Sequence, residues 1–278
     1  MEKVLFITGN KRSGTSHLVR ILNLHPFIFI SHESDIIWIL YQFHNNKPIV
    51  PYPGDSSRGM ELTLKQCGHM LDTKKSPAEN YFAVQRFIMK NGNPWLPAMK
   101  KDHLVYIGDK KPFQHSDPQL ANFILTMFSE VYFIHLVRHP FAVADSAERF
   151  NQTPDGDFWQ NLTLEQAVER WTFHEKGLMD LKQRKGVKVL DVRYEDFCQN
   201  TKNELTRIFD FLKIELDRKI IKTASRQTLN RMRNMPWIAC KDETQKIMEQ
   251  YGYKPEGEKR GLVTRLAANS FWMLRKIF

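Results

Sequence analysis

Val4 to Pro26 reads VLFITGNKRSGTSHLVRILNLHP, and the order of residue types in it decides the fold. Val4 to Ile7 is a short all-apolar run of the kind found in central parallel strands. Gly9-Asn10-Lys11-Arg12-Ser13-Gly14-Thr15-Ser16 follows as a tight turn. Leu18, Ile21 and Leu22 then share one face of a helix that Pro26 ends. A strand, a glycine-bounded turn and a helix in this order can aim backbone N–H groups and a helix N-terminus at an anion. The two glycines have the spacing of the GxxxxGK[ST] phosphate loop, but Thr15 stands in the lysine position, and the positive charge lies inside the turn on Lys11 and Arg12. The same residues would also fit a plain, well-capped connection between strand and helix.

Outward from this stretch the pattern alternates. Phe27 to Ile30 predicts a second buried strand and Asp35 to Phe43 a helix. Asn45 to Gly59 holds three prolines and two glycines, which predicts a loop able to serve as an active-site lid. Helices are expected at Met60 to Leu71 and Pro77 to Lys90, and a strand at Val105 to Ile107. Asp117-Pro118 opens a further helix. Val131 to Val137 and Val187 to Val192 predict strands, with a helix from Phe141 to Phe150 between them. Thr163-x-x-Gln166 and Thr201-x-x-Glu204 have the capping-box spacing. Strands alternating with helices imply an α/β fold, a central parallel sheet with helices on both faces. No repeat or composition shift divides the chain, so one domain over residues 1–278 is expected.

The 278 residues are 42% hydrophobic and 26% charged, ordinary for a globular protein, but the net charge of +10 is high. A basic excess signals an anionic partner, and its spread along the chain, without a long Lys/Arg run, argues against nucleic acid. Cys67, Cys198 and Cys240 form no CxxC pair, which favours a reducing cytoplasm over a disulfide framework or zinc site. MEKVLFITG enters a strand at once and does not read as a signal peptide. No apolar run reaches the roughly 20 residues that span a bilayer. The basic, amphipathic tail Leu262 to Phe278 reads as a docked terminal helix, with membrane-surface contact as the other possibility.

Three blocks carry a family resemblance: RSGTS from Arg12 with its helix and His25-Pro26, VYFIHLVRHPFAVADS from Val131 to Ser146, and VLDVRYEDF from Val189 to Phe197. Together, and in this order, they resemble the sulfotransferases that use 3′-phosphoadenosine 5′-phosphosulfate (PAPS), closer to the bacterial and tyrosylprotein-type branch than to the steroid and phenol enzymes. The first is similar to the 5′-phosphosulfate loop, which implies donor contacts from Lys11, Arg12, Ser13, Gly14, Thr15 and Ser16. The second implies that Arg138, and Ser146 eight positions later, bind the 3′-phosphate. The third is similar to a late strand whose tyrosine, here Tyr194, lies near the adenine. Three positions depart from the family pattern: Lys11 where proline is common, Ser16 for a frequent threonine, and Lys111 where an acidic or neutral residue is usual. Lys11 would add charge near the phosphosulfate. PAPS carries about four negative charges, enough to account for part of the basic excess.

By the same resemblance, Arg12 and Lys110 would be the cations on the transferred group, with Lys111 as the fallback. Glu33, 21 positions after Arg12, would be the base, its pKa raised by burial, and no metal would be required. Independently of any family, Arg12, Glu33, Lys110, Arg138 and Arg193 all fall at or just after strand ends, where α/β sheets bind ligands. Simpler readings remain: Arg138 pairing with a carboxylate, Ser146 as an ordinary helix residue, Glu33 only favouring a helix start, Tyr194 as packing. His32, next to Glu33, is the other candidate base. Arg231 and Arg233 are either 3′-phosphate ligands or a solvated basic face. His135 and His139 straddle a strand end, which sets them aside as metal ligands. The expected reaction is sulfuryl transfer from PAPS, leaving 3′-phosphoadenosine 5′-phosphate (PAP), to a hydroxyl or amine of a small metabolite. A P-loop kinase using ATP and a non-catalytic binder of an adenine nucleotide or sulfated ligand are the alternatives.

Overall fold

Lys3–Thr8 forms the first strand, β1, and its side chains alternate between two cores: Val4 and Phe6 enter one, Leu5 and Ile7 the other. Burial on both faces is why the segment reads as an unbroken apolar run. Each such side chain contributes about 1.5–3 kcal/mol by leaving water. The computed structural model describes residues 2–151, 162–228 and 236–254.

Among these, β1 is followed by α1 (Thr15–Leu22), β2 (Ile28–His32), α2 (Ile36–His44), α3 (Arg58–Cys67), α4 (Pro77–Asn91), β3 (Tyr106–Lys110) and α5 (Pro118–Met127). The second half contains β4 (Val131–Val137), α6 (Pro140–Asn151), α7 (Leu164–Lys182), β5 (Val187–Arg193), α8 (Tyr194–Gln199), α9 (Thr201–Leu212), α10 (Arg218–Gln227) and α11 (Asp242–Gln250). The five strands lie in the order β2-β3-β1-β4-β5. Every neighbouring pair is parallel. Helices α2, α4 and α5 close the core on one face, and α1, α8, α9 and α10 close it on the other. This is the α/β architecture expected from the sequence. All strands therefore end on the same edge, with β1 in the middle.

Several boundaries differ from expectation. β3 runs on to Lys110, because Gly108, Asp109 and Lys110 pair in register with Leu5, Phe6 and Ile7 of β1. Pairing to two neighbours overrides the poor strand propensity of glycine and aspartate. β2 likewise extends to His32, opposite Lys110. Tyr194 opens α8 rather than ending β5. The loop that begins after α2 stops at Ser57, since α3 starts at Arg58. Thr163 and Gln166 form the expected capping box. Thr201 and Glu204 do not: Asn200 is the N-cap, Thr201 Oγ donates back to the Phe197 carbonyl at 2.9 Å, and Glu204 pairs with Arg207 at 2.6 Å. The chain is already helical before Thr201, so no free helix start awaits a cap there.

Candidate active site

The turn after β1 is held from four sides. Arg138, just past β4, donates from Nη1 to the Arg12 carbonyl at 2.8 Å. Arg12 in turn donates from Nε to Ser146 Oγ of α6 at 3.3 Å, and its guanidinium lies 4.5 Å from the Phe150 ring. Tyr194 packs against Gly14, where φ is +97° and an added Cβ would come within 2.6 Å of the ring; only glycine fits there. The Arg138 guanidinium lies over the other partner of this contact, 4.5 Å from the Tyr194 ring centre. On the far side Asn10 Nδ2 donates to Glu175 Oε1 of α7 at 2.8 Å. Glu175 sits beside fully buried His135, whose Nδ1 lies 2.8 Å from Asp191. Burial opposes a charge on His135, but Glu175 and Asp191 outweigh it and raise its pKa. His139 is directed elsewhere, towards the Lys254 carbonyl.

Inside the turn the Ser13 hydroxyl is buried and accepts or donates no hydrogen bond. Helix α1 begins with no side-chain cap and no acid in its first turn. Thr15 is buried there and Ser16 half-buried.

Two strands away lies a cluster of buried charge. Lys110 Nζ, on the last residue of β3, is 2.5 Å from Glu33 Oε1, one residue past β2. Lys111 Nζ is 2.8 Å from both Asp35 and Asp55 and 3.8 Å from the second oxygen of Glu33. Asp55, from the loop before α3, also binds Lys11 at 2.5 Å. Carboxylate and lysine therefore alternate from Glu33 through Lys111 and Asp55 to Lys11, joining the end of β2 to the turn after β1. Beneath them Ser31 and Ser34 donate to Asp109 at 2.8 and 3.0 Å. The segment is held in uncommon backbone: Glu33 and Asp35 have φ of +54° and +53°. Gly59 makes this possible, because a Cβ on it would lie 2.4 Å from the Glu33 carbonyl and 2.3 Å from Asp35.

The electrostatics correct one expectation. Burial by itself would raise the Glu33 pKa, but Lys110, Lys111 and His32 overcome it and hold the carboxyl well below the usual range. Asp35 is pushed up to about 6 by burial, which its lysine partner only partly offsets. His32 falls to about 3, through burial first and then Lys110. Its ring stacks on Trp95 at 6.2 Å. Lys11 does not extend into the turn; it lies on Asp55 and 4.9 Å from the Phe113 ring.

The structure thus brings Arg12, Arg138, Ser146, Tyr194, Ser13 and Gly14 together, and places Glu33 and Lys110 in direct contact. Arg231, Arg233 and the tail from Leu262 lie outside the described residues. Sequence reading missed Asp55, Asp35, Trp95 and Glu175. The Pro/Gly-rich character of the 45–59 loop was the one signal that pointed towards Asp55.

Fold and site define an α/β protein whose central strand feeds a glycine-bounded turn into an uncapped helix, beside a buried acid–lysine cluster. A sequence profile of the sulfotransferase family matches residues 5–218, and the chain belongs to that family. No curated protein matches it by sequence. The sulfotransferase domain from the curacin biosynthetic pathway superposes with a TM-score of 0.62 at 18% identity, covering 91% of this chain and 99% of that one. The sulfotransferase domain from the Synechococcus PCC 7002 olefin synthase gives 0.58 at 19% identity, covering 91% and 97%. A sulfotransferase from Alicyclobacillus acidocaldarius gives 0.51 at 17%, covering 90% and 91%. At these identities the likeness is one of fold. Among the described residues no helix is long and apolar enough to cross a membrane.

Proposed function

We propose that the chain transfers the sulfuryl group of PAPS to a hydroxyl or amine of a small metabolite, using Glu33 as base, Lys110 and Arg12 as cations, and no metal. The observation that carries this reading is the Glu33–Lys110 contact at the ends of adjacent strands, tied by ion pairs to the turn after β1. The turn suits the donor's phosphosulfate. Its buried Ser13 hydroxyl lacks a partner and the first turn of α1 is uncapped, both of which favour an anion. Arg138, Ser146 and Tyr194 would hold the nucleotide's 3′-phosphate and base, with Gly14, Thr15 and Ser16 lining the turn and Lys11 reaching it only by leaving Asp55. The three cysteines are unpaired, which is in keeping with a cytoplasmic site of action.

When bound, the donor supplies a sulfuryl group that leaves its bridging oxygen as the acceptor atom attacks in line. The chain's part is positioning and charge. Paired with Lys110, Glu33 is ionised but a weak base. Lys110 turning towards negative charge on the transferred group would remove that restraint, and Glu33 Oε would then take the acceptor's proton. The pair therefore links stabilisation of the transferred group to activation of the acceptor.

The test is release of PAP from PAPS in the presence of an acceptor panel and a chelator. Acceptor-dependent release that chelator leaves unaltered supports the reading. Protection against thermal unfolding by ATP and magnesium but not by PAP would favour a kinase. PAP binding without turnover on any acceptor would leave a nucleotide-binding protein.

A further inference from the structure

Glu33 is partly open to solvent. Its side chain is 27% exposed, whereas Lys110 and Lys111 behind it are 1% and 3% exposed. Two segments distant in sequence meet near this residue. Gly59 packs on the Glu33 carbonyl, which puts its neighbour Arg58 close to the Glu33 backbone. The Trp95 turn is tied to the other neighbour: Asn93 Nδ2 donates to the His32 carbonyl at 3.2 Å, and the Trp95 amide donates to Asn93 Oδ1 at 3.0 Å. The two segments touch, with the Arg58 guanidinium 5.7 Å from the Trp95 ring centre while His32 stacks on the same indole.

Arg58 is exposed and, among the described residues, forms no ion pair with a carboxylate. Every other cation named around Glu33 is committed to an acid. A guanidinium resting on a ring is restrained, yet keeps its in-plane N–H donors for a carboxylate, sulfate or phosphate. An exposed Arg–Trp contact is by itself an ordinary surface feature. Its place against the backbone segment that carries Glu33 gives it consequence, because any anionic acceptor approaching that carboxylate needs a compensating cation.

We propose that Arg58 binds an anionic group of the acceptor, with Trp95 as the positioning residue that holds the guanidinium and walls the entry. The acceptor class is then a hydroxy or amino compound that also carries a carboxylate or similar anion, such as a hydroxyaryl acid. This assignment rests on the sulfuryl-transfer reading only in naming the bound molecule as the acceptor.

The test uses two probes that differ by one carboxylate, 6-hydroxy-2-naphthoate and 2-naphthol, titrated calorimetrically with and without PAP. Wild-type protein is expected to bind the naphthoate at least tenfold tighter than the naphthol. Arg58→Gln is expected to abolish that preference by weakening the naphthoate about tenfold, the usual scale of a charge-assisted pair, with the naphthol unchanged. Trp95→Ala is expected to reduce the preference partly, and PAP affinity is expected to stay at the wild-type value in both variants. Equal binding of the two probes to wild-type protein, or a preference that survives Arg58→Gln, overturns the proposal. Failure of PAP to bind wild-type protein would instead count against the donor reading, and the titrations without PAP would still decide the role of Arg58.

Discussion

Lys110 Nζ lies 2.5 Å from Glu33 Oε1, so the strongest candidate cation and the strongest candidate base occupy one another. Lys111, held by Asp35 and Asp55, lies farther off, 3.8 Å from the other Glu33 oxygen, and Lys11 is taken up by Asp55. The base is expected to act only when negative charge draws Lys110 away.

Glu33→Gln is therefore expected to lower turnover by roughly 10²–10⁴, the share usual for a general base. PAP affinity should change less than about twofold, because the residues proposed for the nucleotide lie in the turn after β1, just past β4 and on α6 and α8. His32→Asn should cost far less, its ring being stacked on Trp95. Steady-state kinetics with PAP calorimetry checks both; a dead His32→Asn beside an active Glu33→Gln would reverse the roles.

Arg138→Ala is expected to weaken PAP binding by about 2–4 kcal/mol, through loss of a charge-assisted partner. Part of this will come from the turn itself, which Arg138 secures at the Arg12 carbonyl. Ser146→Ala should cost about 1 kcal/mol, the worth of one hydrogen bond. Unchanged calorimetric affinity in both variants would remove the 3′-phosphate assignment.

Gly59→Ala is expected to destabilise the protein by about 1–3 kcal/mol, as overpacking does. The methyl would displace the Glu33 carbonyl and Asp35. Turnover should fall with little change in PAP affinity. Urea unfolding together with calorimetry tests this, and wild-type stability would mean that α3 can shift freely.

Asp55→Asn gives a pH signature. Burial would raise the Asp55 pKa, but Lys111 and Lys11 hold it below its ordinary 3.8. A depressed folded pKa contributes stability that is complete above the unfolded value and is lost as pH falls through the folded one. The variant should lose about 2–3 kcal/mol at neutral pH, less than a fully broken buried pair because Lys111 keeps Asp35. The gap in Tm from wild type should narrow between about pH 5 and about pH 2. A gap independent of pH would show that packing of the loop, rather than charge, is what Asp55 provides.

The sequence discloses what depends on neighbours along the chain. The strand, turn and helix of Val4 to Pro26 are legible because period and glycine spacing are local, and Glu33, Lys110 and Arg138 are legible because strand ends mark the ligand edge. The pairing of Asn10 with Glu175 spans 165 residues, and no pattern in either segment announces it. Asp55 is hidden for the same reason, its lysines lying on other elements. The Glu33 pKa runs against expectation because burial can be guessed from sequence, whereas the approach of Lys110 and Lys111, at and just past the end of β3, cannot. β3 itself looked too short because its last residues are strand only by virtue of their partners.

The strand order separates the two groups of residues proposed for the reaction. Glu33 follows β2 and Lys110 ends β3, to one side of the central strand, and Arg138 and Tyr194 follow β4 and β5, on the other. The segments that carry Arg58 and Trp95, α3 and the turn after α4, both lie between β2 and β3 in the chain. If the proposed roles hold, these two segments can be exchanged to change the acceptor while the opposite half stays as it is. An engineer grafting the 45–59 loop and the Trp95 turn from one relative onto another would be making that exchange, and Asp55, carried within the loop, would have to meet lysines equivalent to Lys11 and Lys111 in the recipient.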